Sequence, residues 1–150
     1  MKAYADTSFL ASLYITGDAH YAAAARIMQG WQAAPRLPLT PFGMLELLNV
    51  FSRLQFKGKM HAAETLVCEA LVRQDLETGV LESMPLRAYE WMQVARDIVK
   101  NITPITGTRT LDAIHLAIAR LNGAKTVLSF DKNQRLAAKA AGFSLLPVSI

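Results

Sequence analysis

The chain alternates short apolar runs with longer stretches of helical periodicity. Residues 2–5 form an apolar run suited to a short strand, and "SFLASLYI" (8–15) follows as a helix that "TGD" closes, with Gly17 as the stop. "DAHYAAAARIMQGWQAA" (18–34) is helical by its alanines and places Asp18 in the capping position. "PRLPLTP" (35–41) reads as a second extended segment, because Pro35 and Pro38 disfavour a helix. From Phe42 to Phe56 the residues Leu45, Leu48, Phe51 and Leu54 recur at three-residue spacing, which predicts a helix stopping near Gly58. Another helix is expected over Met60 to Thr78, capped by Gly79, and "VLESM" (80–84) reads as a third strand. "LRAYEWMQVARDIVKN" (86–101) is helical again, and "ITPITGT" (102–108) interrupts it with Pro104 and Gly107. "RTLDAIHLAIARLNG" (109–123) is apolar on nearly every side, the mark of a helix inside the domain. "KTVLSFD" (125–131) is the clearest strand, followed by a helix, "NQRLAAKAAG" (133–142), and a last strand, "SLLPVSI" (144–150).

Strands alternating with helices predict an α/β sandwich with a mostly parallel central sheet. A length of 150 residues with 52% hydrophobic positions is enough for one core, so residues 1–150 are expected to form a single domain. No run approaches the roughly 20 apolar residues of a membrane span, and Asp6 interrupts the N-terminus before a signal-peptide core could form. These features predict a soluble, cytoplasmic protein without a membrane partner. The single cysteine, Cys68, excludes an intramolecular disulfide and a cysteine metal cluster, and its apolar helical surroundings predict a small core residue.

The formal charge of +4 favours a polyanionic partner. The placement of the acids changes the picture more. Asp6 and Asp131 each follow a strand and precede a helix, the position where parallel α/β folds build their sites. Asp112 and Glu46 lie near helix starts within apolar segments. Three of the acids have an ordinary reading: Asp6 and Asp131 as helix caps, Asp112 as a partner of the helix dipole. Glu46, flanked by Met44, Leu45, Leu47 and Leu48, is harder to dismiss. Burying ionised carboxylates nonetheless costs several kcal/mol unless they are paired or bound to metal. Among the cations only Arg109, three residues before Asp112, stands at helical spacing from either buried acid. Hard oxygen donors without a Cys or His pattern select Mg²⁺ or Mn²⁺. Setting these four acids apart leaves 8 Asp and Glu against 16 Lys and Arg, an acidic centre in a basic surface.

"YADTSFLAS", "ELLN" (46–49), "RTLDAIHLAIA" (109–119) and "VLSFDKNQ" (127–134), in that order, resemble the PIN domain, in particular the compact VapC-type toxins of toxin–antitoxin pairs. The resemblance covers essentially the whole chain. It implies a three-layer α/β/α fold of PIN type, metal-dependent endoribonuclease activity, and a homodimer neutralised by a small antitoxin protein. Carried over residue by residue, the acidic site is Asp6, Glu46, Asp112 and Asp131, with Ser8 as the hydroxyl that follows the first Asp and Thr7 beside it. Some members have a further acid one turn after the third, where this chain has Leu116. The expected reaction is hydrolysis of RNA by metal-activated water, leaving a 5′-phosphate and a 3′-hydroxyl, with Ser8 orienting a carboxylate or water.

His115 is expected to be satisfied in the interior, and His20 and His61 to lie on the surface. Arg53, Lys57, Lys59, Lys132 and Arg135 are candidate phosphate contacts. The apolar excess of the 42–56 and 60–78 segments predicts a partner-binding or dimer surface. Two competing functions have to be weighed. An aspartyl-nucleophile phosphatase would place an acid two residues after Asp6, where Ser8 stands. A non-catalytic RNA- or partner-binding protein on a degenerate nuclease scaffold would have no need of four mutually repelling acids.

Overall fold

The computed structural model describes residues 2–31, 36–87 and 89–150. Among these the order is β1 (Ala3–Ala5), α1 (Thr7–Tyr14), α2 (Tyr21–Gln29), β2 (Leu37–Leu39), α3 (Pro41–Phe56), α4 (Ala62–Thr78), β3 (Leu81–Ser83), α5 (Glu90–Asn101), α6 (Thr103–Thr106), α7 (Thr110–Leu121), β4 (Thr126–Leu128), α8 (Lys132–Ala140) and β5 (Ser144–Leu146). The protein is an α/β fold whose strands pair in parallel throughout, divided between two hydrogen-bonded sets, β1-β4-β5 and β2-β3. Two compact units result, one of Met1–Asp6 with Leu86–Ile150 and one of Thr7–Pro85.

In the first unit β4 lies between β1 and β5, with Ala5 paired to Leu128 and Leu128 to Leu146. Val127 and Leu128 are fully buried, as parallel strands covered by helices must be. Helix α7 supplies the interior of this unit: Ala113, Leu116, Ala117, Ile118 and Ala119 are all fully buried. Its nearly unbroken apolar sequence is therefore what its position demands. His115 is buried too, and its Nδ1 pairs with the Tyr4 hydroxyl at 2.6 Å, so it is a satisfied interior histidine.

In the second unit Thr40 caps α3 by accepting from the Gly43 amide at 3.0 Å, and Pro41 occupies the first turn, where its missing N–H costs nothing. Leu47 and Phe51 of α3 are fully buried with Leu37 and Leu81. Cys68 is buried and donates to the Tyr14 carbonyl at 3.3 Å; burial, and then the charges of Glu64 and Glu69, hold its thiol above the usual range. It is a core residue. Tyr14 donates to Asp75 at 2.7 Å, and burial keeps its phenol protonated.

Several boundaries differ from the sequence reading, each for a local reason. Asp18 does not cap a helix: its Oδ1 accepts from the His20 amide at 2.8 Å in a turn, and α2 starts only at Tyr21. The expected continuation of that helix through Gln32, Ala33 and Ala34, and Pro35 of the next segment, lie outside the described residues, as does Ala88. Helix α5 begins at Glu90 rather than Leu86, because Tyr89 has a left-handed backbone with φ 72°. "ITPITGT" holds one short helix, α6, with Pro104 in its first turn and Gly107 ending it at φ 65°. "KTVLSFD" and "SLLPVSI" give only three ladder residues each; Ser129 and Phe130 leave the sheet, and β5 stops before Pro147.

The contrast between interior and surface leucines sets a stability test. Leu116→Ala, at a site of 0% exposure, should lower unfolding free energy by about 3 kcal/mol in urea titrations. Leu66→Ala, at 66% exposure, should stay within about 0.5 kcal/mol of the parent.

Candidate active site

The parallel register places Asp6 and Ser129 side by side. Ala5 pairs with Leu128, so the residues one step beyond, at the carboxyl edge of the sheet, are neighbours. The Asp6 amide continues the ladder by donating to the Leu128 carbonyl at 3.0 Å, and the Ser129 amide donates to the Leu146 carbonyl at 3.1 Å. The Ser129 hydroxyl then donates to Asp6 Oδ2. Its Oγ also accepts from the Asp131 amide at 3.1 Å, so one hydroxyl ties Asp6 to the turn that carries Asp131.

Asp131 divides its carboxylate between two tasks. Oδ1 caps α8, accepting from the amides of Asn133 and Gln134 at 2.8 and 2.9 Å. Oδ2 accepts from Arg109 Nη2 at 3.1 Å. The cap reading of Asp131 holds for Oδ1, while Oδ2 serves Arg109.

Asp112 sits in the first turn of α7, 7% exposed, where the helix dipole favours its charge. Arg109, at the N-cap position, clamps it with Nε to Oδ2 at 2.8 Å and Nη2 to Oδ1 at 3.3 Å. The same Nη2 reaches Asp131, so one guanidinium holds two carboxylates in common. Its hydrogen bonds and charge contacts with Asp112, then Asp131, raise its pKa further above an already high value. Gln134 of α8 adds a buried contact from Nε2 to the Asp112 carbonyl at 3.4 Å, linking the first turns of α7 and α8. Asp6, Ser129, Asp131, Arg109 and Asp112 form one connected chain of polar contacts.

Arg135 is not a surface phosphate contact. It is 9% exposed, donating from Nη1 to the Ser129 carbonyl at 3.0 Å and from Nη2 to the Val148 carbonyl at 3.2 Å. Burial lowers its pKa, while the charge of Asp6 opposes that shift. It braces the turn that carries Ser129. Leu116, one turn after Asp112, is wholly buried and adds no ligand. Arg53, Lys57, Lys59 and Lys132 are exposed, as are His20 and His61.

In the second unit, Thr7 Oγ1 donates to Glu46 Oε2 at 2.9 Å. Glu46 is half-buried and lies in the second turn of α3. The hydroxyl seen on a carboxylate here is that of Thr7; Ser8 is half-buried beside it, its carbonyl accepting from Ser12 Oγ at 3.0 Å.

The donor set of Asp6, Asp112 and Asp131 suits a hard divalent cation in kind. Among the described residues, no group of three or more His, Cys, Asp or Glu side chains is gathered as a metal-holding cluster. The Asp112 and Asp131 pair is closed on a guanidinium instead.

The sequence model of the PIN domain matches residues 3–140. The chain belongs to the PIN domain family. Three solved structures share the fold. VapC20 of Mycobacterium tuberculosis, described as a sarcin-ricin loop cleaving toxin, superposes with a TM-score of 0.68 at 21% identity, over 95% of this chain and 96% of that one. PAE2754 from Pyrobaculum aerophilum gives 0.61 at 17%, over 97% and 84%. FitAcB from Neisseria gonorrhoeae gives 0.63 at 13%, over 95% and 95%. No curated protein matches the sequence significantly.

In this PIN domain, Ser129, Arg109 and Thr7 are the site residues that sequence reading passed over or ranked low. Removing the Ser129 hydroxyl leaves buried Asp6 short of a donor and the Asp131 amide short of an acceptor. Ser129→Ala should therefore cost about 1–3 kcal/mol of unfolding free energy. Ser52→Ala, which deletes an exposed hydroxyl bonded to a helix carbonyl, should change it by no more than about 0.5 kcal/mol.

Proposed function

We propose that this PIN domain protein is a Mg²⁺- or Mn²⁺-dependent endoribonuclease of the VapC toxin type, acting on RNA in the cytoplasm. The observation that carries the proposal is the connected set of Asp6, Asp112 and Asp131 at the carboxyl edge of a parallel sheet. Three acids drawn together by shared partners offer the hard oxygen donors that a divalent cation takes. In this reading they hold the metal, and Glu46 joins them as the fourth carboxylate on the strength of the motif resemblance. When bound, the metal supplies a water acidified toward neutrality and offsets charge on the phosphoryl oxygens.

The chain's own residues do the rest. Ser129 fixes the Asp6 carboxylate by hydrogen bond, and Thr7 fixes Glu46, leaving Ser8 to orient a water in the same turn. Asp131 keeps one oxygen on the helix cap and presents the other. The exposed cations Arg53, Lys57, Lys59 and Lys132 receive backbone phosphates of the RNA. Attack by water rather than by the ribose 2′-hydroxyl leaves a 5′-phosphate and a 3′-hydroxyl. Leu45, Phe56, Leu66 and Val67 of α3 and α4 are 59% to 91% exposed, and this reading assigns such apolar surface to a small antitoxin and to a second copy of the chain.

The test is cleavage of a mixed RNA substrate by the purified protein. Activity should need Mg²⁺ or Mn²⁺, stop with EDTA, and fall on the order of a hundredfold or more in Asp6→Asn or Asp112→Asn while RNA binding persists. Cleavage that survives EDTA, or products ending in a 2′,3′-cyclic phosphate, would overturn the mechanism. Binding with no cleavage under any metal would favour the non-catalytic reading.

A further inference from the structure

The two arginines at the acidic edge are held in different ways. Arg135 is buried and tied by both terminal nitrogens to backbone carbonyls, so it cannot leave without opening the turn at Ser129. The Arg109 side chain is 59% exposed, and its hydrogen bonds among the described residues run to carboxylate oxygens of Asp112 and Asp131. Its backbone at the N-cap is extended, with φ −75° and ψ 157°, outside the regular turns of α7. A long side chain so placed can swing into solvent without disturbing the helix it precedes. While it stays, it occupies both oxygens of Asp112 and the outward oxygen of Asp131.

We propose that Arg109 is a built-in counter-ion that holds the Asp112–Asp131 pair closed in the metal-free protein and must swing off for a divalent cation to bind. The inference rests on the metal-binding reading above. It adds that this chain's affinity for metal is set by competition from its own guanidinium. Arg109 is accordingly a positioning residue: it keeps two like charges in register when no metal separates them, at the expense of weaker metal binding.

The experiment is a Mn²⁺ titration of the purified chain without RNA, read by loss of the free-Mn²⁺ paramagnetic signal, together with melting curves with and without metal. Arg109→Gln should bind Mn²⁺ on the order of fivefold tighter than the parent, since exposed ion pairs of this kind are individually modest. Arg109→Lys keeps the charge but loses the fork, and should also bind more tightly than the parent. Metal-free R109Q should melt below the parent, and saturating Mn²⁺ should close that gap. Asp112→Asn marks the site and should abolish the binding. If D112N abolishes binding but R109Q and R109K bind no tighter than the parent, the counter-ion role is wrong and the metal reading stands. If no variant shows Mn²⁺ binding that D112N removes, the metal reading itself falls, and this inference with it.

Discussion

Like charge concentrated at the carboxyl edge of the β1-β4-β5 sheet is the constraint around which the first unit is organised. Asp6 and Asp112 are 3% and 7% exposed, and removal of carboxylates from water is unfavourable unless hydrogen bonds and counter-charges replace the lost hydration. The replacements are specific. A hydroxyl serves Asp6, helix amides serve one oxygen of Asp131, and a guanidinium fork serves Asp112 and the other oxygen of Asp131. Ser129 and Arg109 each touch two of the three acidic residues, so positions are set collectively. Displacing Ser129 disturbs Asp6 and the Asp131 turn together.

The fold makes this concentration possible through register. Parallel pairing with Ala5 opposite Leu128 brings two chain segments to the same edge at the same height, and each turns at once into a helix. Helix α7 then delivers Asp112 from its first turn, where orphan amides and the macrodipole already favour an anion. Its wholly buried apolar body anchors that turn in the core. Stability and function divide along one helix: Leu116 and Ile118 are packing residues, while Asp112, at the amino end, carries charge.

How much of this could be read in the chain depended on the range of each interaction. The strands, the buried helix at 109–123 and the four acids at junctions were legible, because periodicity, Gly and Pro punctuation and strand-Asp-helix order are local signals. Ser129 was not, since its partner Asp6 lies 123 positions away and only the β1-β4 register brings them together. Arg109 was half legible: its spacing to Asp112 is local, but its contact with Asp131 spans 22 positions. Arg135 misled because a charged residue after an acidic motif reads as surface, and nothing local announces the carbonyls of Ser129 and Val148 that draw it inward. The choice between Thr7 and Ser8 was similarly open, as two adjacent hydroxyls in a helix start differ only in the direction they face.

On the proposed metal-binding reading, the two arginines also bear on how the edge could take up a cation. By formal charge, Asp6, Asp112 and Asp131 bring three negatives to the group, and Arg109 and Arg135 bring two positives. Arg135 is a poor neutraliser in addition: it is committed to two carbonyls, and burial works against its charge even as Asp6 supports it. With Arg109 swung into solvent the deficit becomes two, the charge of a single Mg²⁺ or Mn²⁺. A divalent ion at short range outcompetes a delocalised monocation for hard carboxylate oxygens once its hydration is partly replaced by them. On that reading, a group neutralised fully by its own side chains would fold more stably and have no need of a cation.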